Sequence, residues 1–502
     1  MAFPPIMVRP FANRYLKTLI EAVTLLITGL SISLSQEHPQ KYYPETDTLV
    51  LEKLQRWGDS KFGLLMHWGT YSQWGIVESW SIGSEDEPWE RRRDSSYTEY
   101  KARYQDLIKT FNPVKFHPAQ WAEAAKAAGM RYVVFTTKHH DGFCMFDTKT
   151  TEYRITGPDC PFHSDPRANV AKEIFDSFRN QGFMIGAYFS KADWHSPYYW
   201  WQNFATPDRN PNYSIQRYPE RWNQFVKFTQ TQIAELMTEY GTIDILWLDA
   251  GWVRTKTEEE IIREKLRAEY AVFPQSQDID MPSIVRNARE KQPGLIVVDR
   301  AVPGAYQNYL TPENMVPEST LPYPWETCMP MGTSWSFVPN DKYKSVRELI
   351  GLLVDVVSKG GNFLLNVGPD PEGEWADDAY DRLLGMGAWM KINGEAIYGT
   401  HPVPPHSEGN VRFTQLADGT TYVIYLAEEG EISPPEKIRA SLLRPADGAE
   451  LTMLGSDLQL AWRSLEHGFE VDIPKVFRER PPCKHAWILK ISRIAVSSGG
   501  IQ

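Results

Sequence analysis

Asp249 closes an apolar run, Ile243-Asp244-Ile245-Leu246-Trp247-Leu248, and Ala250-Gly251-Trp252 follows at once. A carboxylate carried by a buried strand into a mouth of indole rings suits glycoside cleavage. The carboxylate attacks an anomeric carbon while the rings stack on the apolar face of a pyranose. Read alone, Asp249 is ambiguous between that role and a polar cap on a strand end. Other apolar runs stop in the same manner. The run 61–66 leads into His67-Trp68-Gly69, and 132–136 into Lys138-His139-His140-Asp141-Gly142. The run 184–188 ends in Tyr188 with Asp193-Trp194-His195 beyond, and 295–298 leads into Asp299-Arg300. A lone histidine is more often structural than functional, but five polar strand ends in succession point to one shared site.

The same residues contain zinc-ligand types: His67, His139, His140, His195 and Asp249. No His-x-His or His-Glu-x-x-His spacing occurs, and the adjacent His139 and His140 should diverge on an extended backbone. Metal hydrolysis is therefore the minor reading, and no metal or cofactor is expected. No glycine-rich nucleotide fingerprint follows any strand.

The elements that must position these groups alternate regularly. Helical patterns at 118–128, 170–180, 219–240, 284–291 and 345–358 separate the apolar runs, with a further run at 363–367. The first of these helices has Pro118 at its start and Gly129 past its end. Continuous apolar strands alternating with helices predict a parallel sheet covered on both faces. The number of units favours an α/β fold of the (β/α)8-like TIM-barrel type, in which reactive groups gather at the C-terminal strand ends. Short alternating runs at 411–416, 421–426, 437–443, 458–465, 469–473 and 486–491 predict a C-terminal all-β sandwich. Turn signals Asp418-Gly419 and Asp447-Gly448 punctuate them, and His401-Pro-Val-Pro-Pro-His406 reads as a linker.

The expected organisation is thus a signal peptide over 1–35, a catalytic domain over 36–400 and a β-sandwich domain over 401–502. Arg9, Arg14 and Lys17 precede an apolar stretch over 22–34, with Ser31, Ser33 and Ser35 near a cleavage point. That stretch is short of the ~20 residues of a membrane span. Export to a periplasmic, extracellular or lysosome-like compartment without stable membrane insertion is expected. The net charge of -11, and the lack of any basic cluster beyond Arg91-Arg92-Arg93, exclude a nucleic-acid partner. The 18 Trp, 24 Tyr and 22 Phe must fill a core or line a sugar groove. Four cysteines, at 144, 160, 328 and 483, have no zinc or redox spacing.

The segments KFGLLMHWGTYS, YVVFTTKHHDGFCMFDTKTTEY, IGAYFSKADWH, YGTIDILWLDAGW, WETCMPMGTSW and VSKGGNFLLNVGPDPEGE resemble, in order, the signatures of glycoside hydrolase family 29, the α-L-fucosidases. The resemblance covers about residues 61–374 and also suits a β-sandwich after the barrel. It implies retaining hydrolysis of terminal α-L-fucose from a fucosylated oligosaccharide or glycoconjugate, with two carboxylates about 5–5.5 Å apart. The nucleophile of the family's W-x-D strand end falls on Asp249. The acid/base is less fixed; Glu313, in Thr311-Pro312-Glu313, is the first choice, with Glu318 and Glu326 as rivals. His67, His139, His140, Tyr188 and Trp247 match fucose-contacting positions, and Arg300 joins them. The Glu-Trp pair common after the first strand is here Glu78-Ser79-Trp80, with one residue between. Trp89 is either an aglycone contact or loop packing. Two readings stay open beside it: a retaining glycosidase acting on a related sugar, and an inactive carbohydrate-binding protein on the same fold.

Overall fold

A computed structural model of the chain describes residues 42–84, 96–266 and 273–495. The expected signal segment 1–35, Trp89 and Arg91-Arg92-Arg93 lie outside the described residues. Seven strands form one parallel sheet: β1 (Phe62–Met66), β2 (Tyr132–Lys138), β3 (Met184–Ser190), β4 (Ile245–Asp249), β5 (Ile296–Asp299), β6 (Glu326–Pro330) and β7 (Asn362–Asn366). Their order is β5-β4-β3-β2-β1-β7-β6. Six coincide with the expected apolar runs, shifted by a residue or two. β6 was not expected, because Glu-Thr-Cys-Met-Pro carries no apolar run; it is held by its ladder to β7.

Between β5 and β6, where an eighth strand would close a TIM barrel, the chain from 306 to 314 runs with isolated bridges instead. Gln307 pairs with Val298, Leu310 with Trp325 and Glu313 with Cys328. The Asn308 N–H donates to the Val297 carbonyl (2.9 Å), and the Asn314 N–H to the Cys328 carbonyl (3.0 Å). The TIM-like sheet thus has seven regular strands and one irregular stave, and that stave carries Glu313.

The expected helices are present as α3 (Pro118–Ala127), α4 (Val170–Asn180), α5 (Pro219–Glu239), α7 (Met281–Lys291) and α8 (Val346–Ser358). Ser345 caps α8 through a reciprocal box with Glu348. Gly129, at φ +92°, ends α3 as its position predicted. Five more among the described residues were not expected: α1 (Thr48–Ser60), α2 (Tyr97–Gln105), α6 (Glu258–Leu266), α9 (Asp377–Asn393) and α10 (Lys475–Glu479). Among the described residues, no helix is long and apolar enough to cross a membrane.

The two-residue period of a strand sets the site. Leu65, Val134, Tyr188, Trp247, Val298, Cys328 and Leu364 face one buried core inside the sheet. Two positions beyond Leu65, Trp247, Val298 and Leu364 come His67, Asp249, Arg300 and Asn366, which therefore share the interior at the C-terminal rim. The apolar pattern places the polar residues.

The C-terminal region holds two antiparallel sheets. The first, in order β12-β15-β10-β9-β8, contains β8 (His401–Glu408), β9 (Val411–Gln415), β10 (Thr421–Leu426), β12 (Leu451–Met453) and β15 (Ala486–Ile491). The second, in order β11-β14-β13, contains β11 (Lys437–Ala440), β13 (Trp462–Ser464) and β14 (Phe469–Asp472). Phe413, Val423, Ile438, Phe469, Val471 and Trp487 fill one core between them. The proline-rich 401–406 is not a free linker. It is edge strand β8, where prolines forfeit no ladder partner on the outer side. Arg412 on β9 binds Asp355 on α8 at 2.6 Å, fastening this region to a barrel helix.

Candidate active site

A cavity of about 490 Å³ opens at the C-terminal rim, lined by His67, Glu78, Trp80, His139, His140, Trp247, Asp249, Arg300 and Glu313 among others. Asp249 lies at its floor with 19% of its side chain exposed. Its Oδ2 accepts from the Tyr188 hydroxyl at 2.6 Å, and its Oδ1 from the Ala250 N–H at 2.8 Å and from Arg300 Nη1 at 3.4 Å. Ala250, whose N–H meets the carboxylate, adopts φ +68°, at a strain cost of about 1 kcal/mol or more. Burial alone would raise the Asp249 pKa, but the Arg300 charge, the Tyr188 hydroxyl and the Ala250 amide outweigh it. The carboxyl is held well below the ordinary range and stays ionised.

The three pocket histidines are neutral. Burial lowers His67 and His140 to about 4 and His139 well below its usual value. Their partners fix the tautomers. Asn366 Nδ2 donates to the Trp335 carbonyl at 2.7 Å, so its Oδ1 must accept from His67 Nδ1–H at 2.9 Å. Ser190 spends its proton on the Ala192 carbonyl at 2.7 Å, so it accepts from His140 Nδ1–H, also at 2.7 Å. Ser79 accepts from the Asp141 N–H at 3.0 Å, leaving its own proton for His139 Nδ1 at 2.6 Å. The pocket thus meets two acceptors, His67 Nε2 and His140 Nε2, and one donor, His139 Nε2–H. His140 Nε2 is 3.8 Å from Asp249 Oδ2, so the two present neighbouring acceptors to the cavity.

The loops after β2 and β3 clamp one another around these rings. The Trp194 N–H donates to the His140 carbonyl at 2.7 Å, and Lys138 Nζ reaches Asp193 at 3.1 Å. Gly142 must be glycine: at φ +82°, a Cβ would lie 2.2 Å from Asp193 Oδ1. A register shift between Thr136 and Lys138 brings the rings of His139 and His140 to 4.2 Å, so the expected divergence of the two side chains does not occur. With Asp249 they offer three ligand atoms within 4.8 Å of one another. Each Nδ1 is already committed to a serine, and the Arg300 charge beside Asp249 opposes a cation there.

The three candidate acid/base residues separate cleanly. Glu313 lines the cavity, and Arg300 Nη2 donates to its Oε2 at 2.5 Å. One guanidinium therefore grips both Asp249 and Glu313 while lying 4.7 Å over the Trp247 ring. Glu318 is exposed and does not line the cavity. Glu326 begins β6, at the opposite end of the sheet from the rim. It is fully buried, accepts from the Tyr132 hydroxyl (2.7 Å) and Trp247 Nε1 (3.2 Å), and is pushed up to about 7 by burial. It braces the Trp247 indole from below. Glu78 is buried in the cavity wall and also pushed up to about 7 by burial; the Ser336 N–H donates to it at 2.9 Å.

Trp80 and Trp252 stand edge-on to His140 at 5.2 and 5.1 Å, and Trp335 leans on His67 at 5.3 Å. Tyr188 does not line the cavity and acts through Asp249. Trp335, Arg209 and the orienting partners Ser79, Ser190 and Asn366 were missed from sequence. Trp335 closes the quoted WETCMPMGTSW segment, which was the available signal.

The profile of the alpha-L-fucosidase family matches residues 30–395, which includes every barrel strand. This chain belongs to the alpha-L-fucosidase family. The tissue alpha-L-fucosidase of Rattus norvegicus is 27% identical over 490 residues, spanning 94% of this chain and 96% of that one. The plasma alpha-L-fucosidase of Homo sapiens is 26% identical over 487 residues, spanning 90% and 93%. Among solved structures, alpha-L-fucosidase isoenzyme 1 from Paenibacillus thiaminolyticus superposes with a TM-score of 0.69 at 28% identity, covering 89% of this chain and 100% of that one. The Thermotoga maritima alpha-fucosidase in complex with fucose superposes at 0.67 and 27% identity, covering 89% and 100%.

Proposed function

We propose that the protein is a retaining α-L-fucosidase that releases terminal L-fucose from fucosylated glycans without a cofactor. The observation that carries this reading is the bridge made by Arg300 between an ionised, half-enclosed Asp249 and Glu313 at the cavity mouth. Asp249 attacks C1 of the fucosyl unit, the bond from C1 to the leaving oxygen breaks, and Glu313 gives that oxygen its proton. The product is a fucosyl ester on Asp249, whose negative charge is consumed. Arg300 then neutralises Glu313 alone. Glu313, now a carboxylate, takes a proton from water as the water oxygen attacks C1, and the ester bond breaks to free Asp249 and fucose with retention.

The neutral histidines suit a sugar, because they exchange hydrogen bonds with hydroxyls without carrying charge. Glu78, Trp247 and the Trp80, Trp252 and Trp335 rings complete the wall, and Tyr188 holds Asp249 from behind it. Export of the protein, its signal within 1–35, and division into a catalytic domain (36–400) and an accessory sandwich (401–502) belong to the same reading. An aryl α-L-fucoside tests it. Wild type should turn the substrate over, and Asp249→Ala should lose about 10⁴-fold or more. Fucose binding without turnover by wild type would favour an inactive binding protein, and turnover of another aryl glycoside alone would favour a related sugar.

A further inference from the structure

The loop after β3 carries Arg209 to the outer wall of the cavity. Its guanidinium lies 4.5 Å from the centre of the Trp252 ring and 6.0 Å from that of Trp80. These are two of the three indoles that meet His140, and Arg209 lines the same cavity as Asp249 and Glu313. The group joined to fucose through the leaving oxygen must lie in the part of that cavity the fucosyl unit does not fill. The loop is pinned. The Arg209 carbonyl accepts from Trp194 Nε1 at 3.2 Å and from the Tyr199 hydroxyl at 3.1 Å, and Gln277 donates to buried Asn210 at 2.7 Å.

Every other cation lining the cavity has a carboxylate of its own. Arg300 holds Asp249 and Glu313, Arg254 holds Glu260 at 2.7 Å, and Lys256 holds Glu264 at 2.8 Å. Among the described residues, no carboxylate pairs with Arg209. A guanidinium laid over an indole spends its face on the ring and keeps its in-plane N–H donors for a planar oxyanion.

We propose that Arg209, backed by Trp252 and Trp80, forms a subsite for an oxyanion on the aglycone: a sulfate ester or carboxylate on the sugar to which fucose is linked. The subsite rests on the fucosidase reading and narrows its substrate to anionic glycans.

Matched fucosyl disaccharides test this: α-L-fucosyl N-acetylglucosamine against its 6-sulfate, and α-L-fucosyl glucose against the glucuronic acid analogue. Wild-type kcat/KM should favour the charged member of at least one pair by about tenfold, and added salt should erode that preference. A preference in only one pair identifies sulfate or carboxylate as the anion read. Arg209→Gln should bring the ratio close to one, and Arg209→Lys should restore part of it. Ratios near one in wild type for both pairs, or a preference that survives Arg209→Gln, would overturn the subsite. The salt dependence of wild type decides the matter even if the variants fold poorly. Absence of turnover on every α-L-fucoside would instead defeat the activity itself.

Discussion

Replacing Arg300 with methionine keeps the length of the stem over Trp247 and removes the charge that holds Asp249 and Glu313. Asp249 and Arg300 are 19% and 14% exposed, so solvent screens the pair only partly. At 3.4 Å and an effective dielectric of about 20, their attraction is about 5 kcal/mol. Charge delocalisation over the guanidinium and the open side of the cavity reduce this to about 2–3 kcal/mol, or about two pH units. The sign follows from the opposing influences on Asp249. Burial is the largest and raises its pKa; Arg300 is the largest of those that lower it. Without Arg300, Asp249 protonates at higher pH, and the acid limb of kcat/KM on an aryl α-L-fucoside should move up by about two units. Arg300→Lys should return most of the limb but not the rate at the optimum, because one ammonium cannot span two carboxylates. An acid limb that stays in place in Arg300→Met would refute the claim that Arg300 keeps Asp249 ionised.

Glu313→Ala should cost about 10³-fold on substrates with poor leaving groups and far less on activated aryl fucosides. Azide should restore the variant and yield fucosyl azide; rescue of Glu326→Ala instead would move the acid/base below the Trp247 floor. Glu326 also has a stability signature. Its folded pKa is raised to about 7 from an ordinary 4.5, so its contribution is fully present below pH 4.5 and is lost as pH rises through about 7. Glu326→Gln should therefore gain stability relative to wild type between pH 5 and 8, on the order of 3 kcal/mol. Melting temperatures across that range check it, and a constant difference would show that Glu326 does not titrate there.

Much of the site was legible because strand chemistry is periodic. Residues such as Leu65 and Trp247 announce a buried interior, and the polar residue two positions on must share it; His67 and Asp249 follow from that rule. Arg300 falls on the same rim, and Tyr188 lies one layer below it, level with Trp247. The limits were equally physical. β6 is held by ladder hydrogen bonds to β7 and not by its own apolarity, so Glu326 lacked a strand to place it. Glu313 rides the irregular stave from 306 to 314, which has no periodicity to read. The orientation of His139 depends on a register shift that composition does not encode. The prolines of 401–406 suggested a linker, yet an edge strand tolerates them on its unpaired side. The partners that set the tautomers, Ser79, Ser190 and Asn366, are too small and common to signal themselves.

The central claim is that Asp249 forms a bond to the sugar. A 2-fluoro-fucosyl fluoride tests this directly, because the 2-fluorine slows both steps while the fluoride leaving group favours the first. Intact mass followed by peptide mapping should find one fluorofucosyl group per chain, esterified to Asp249, and none in Asp249→Ala. An adduct on another residue, or one that persists in the variant, would contradict the account.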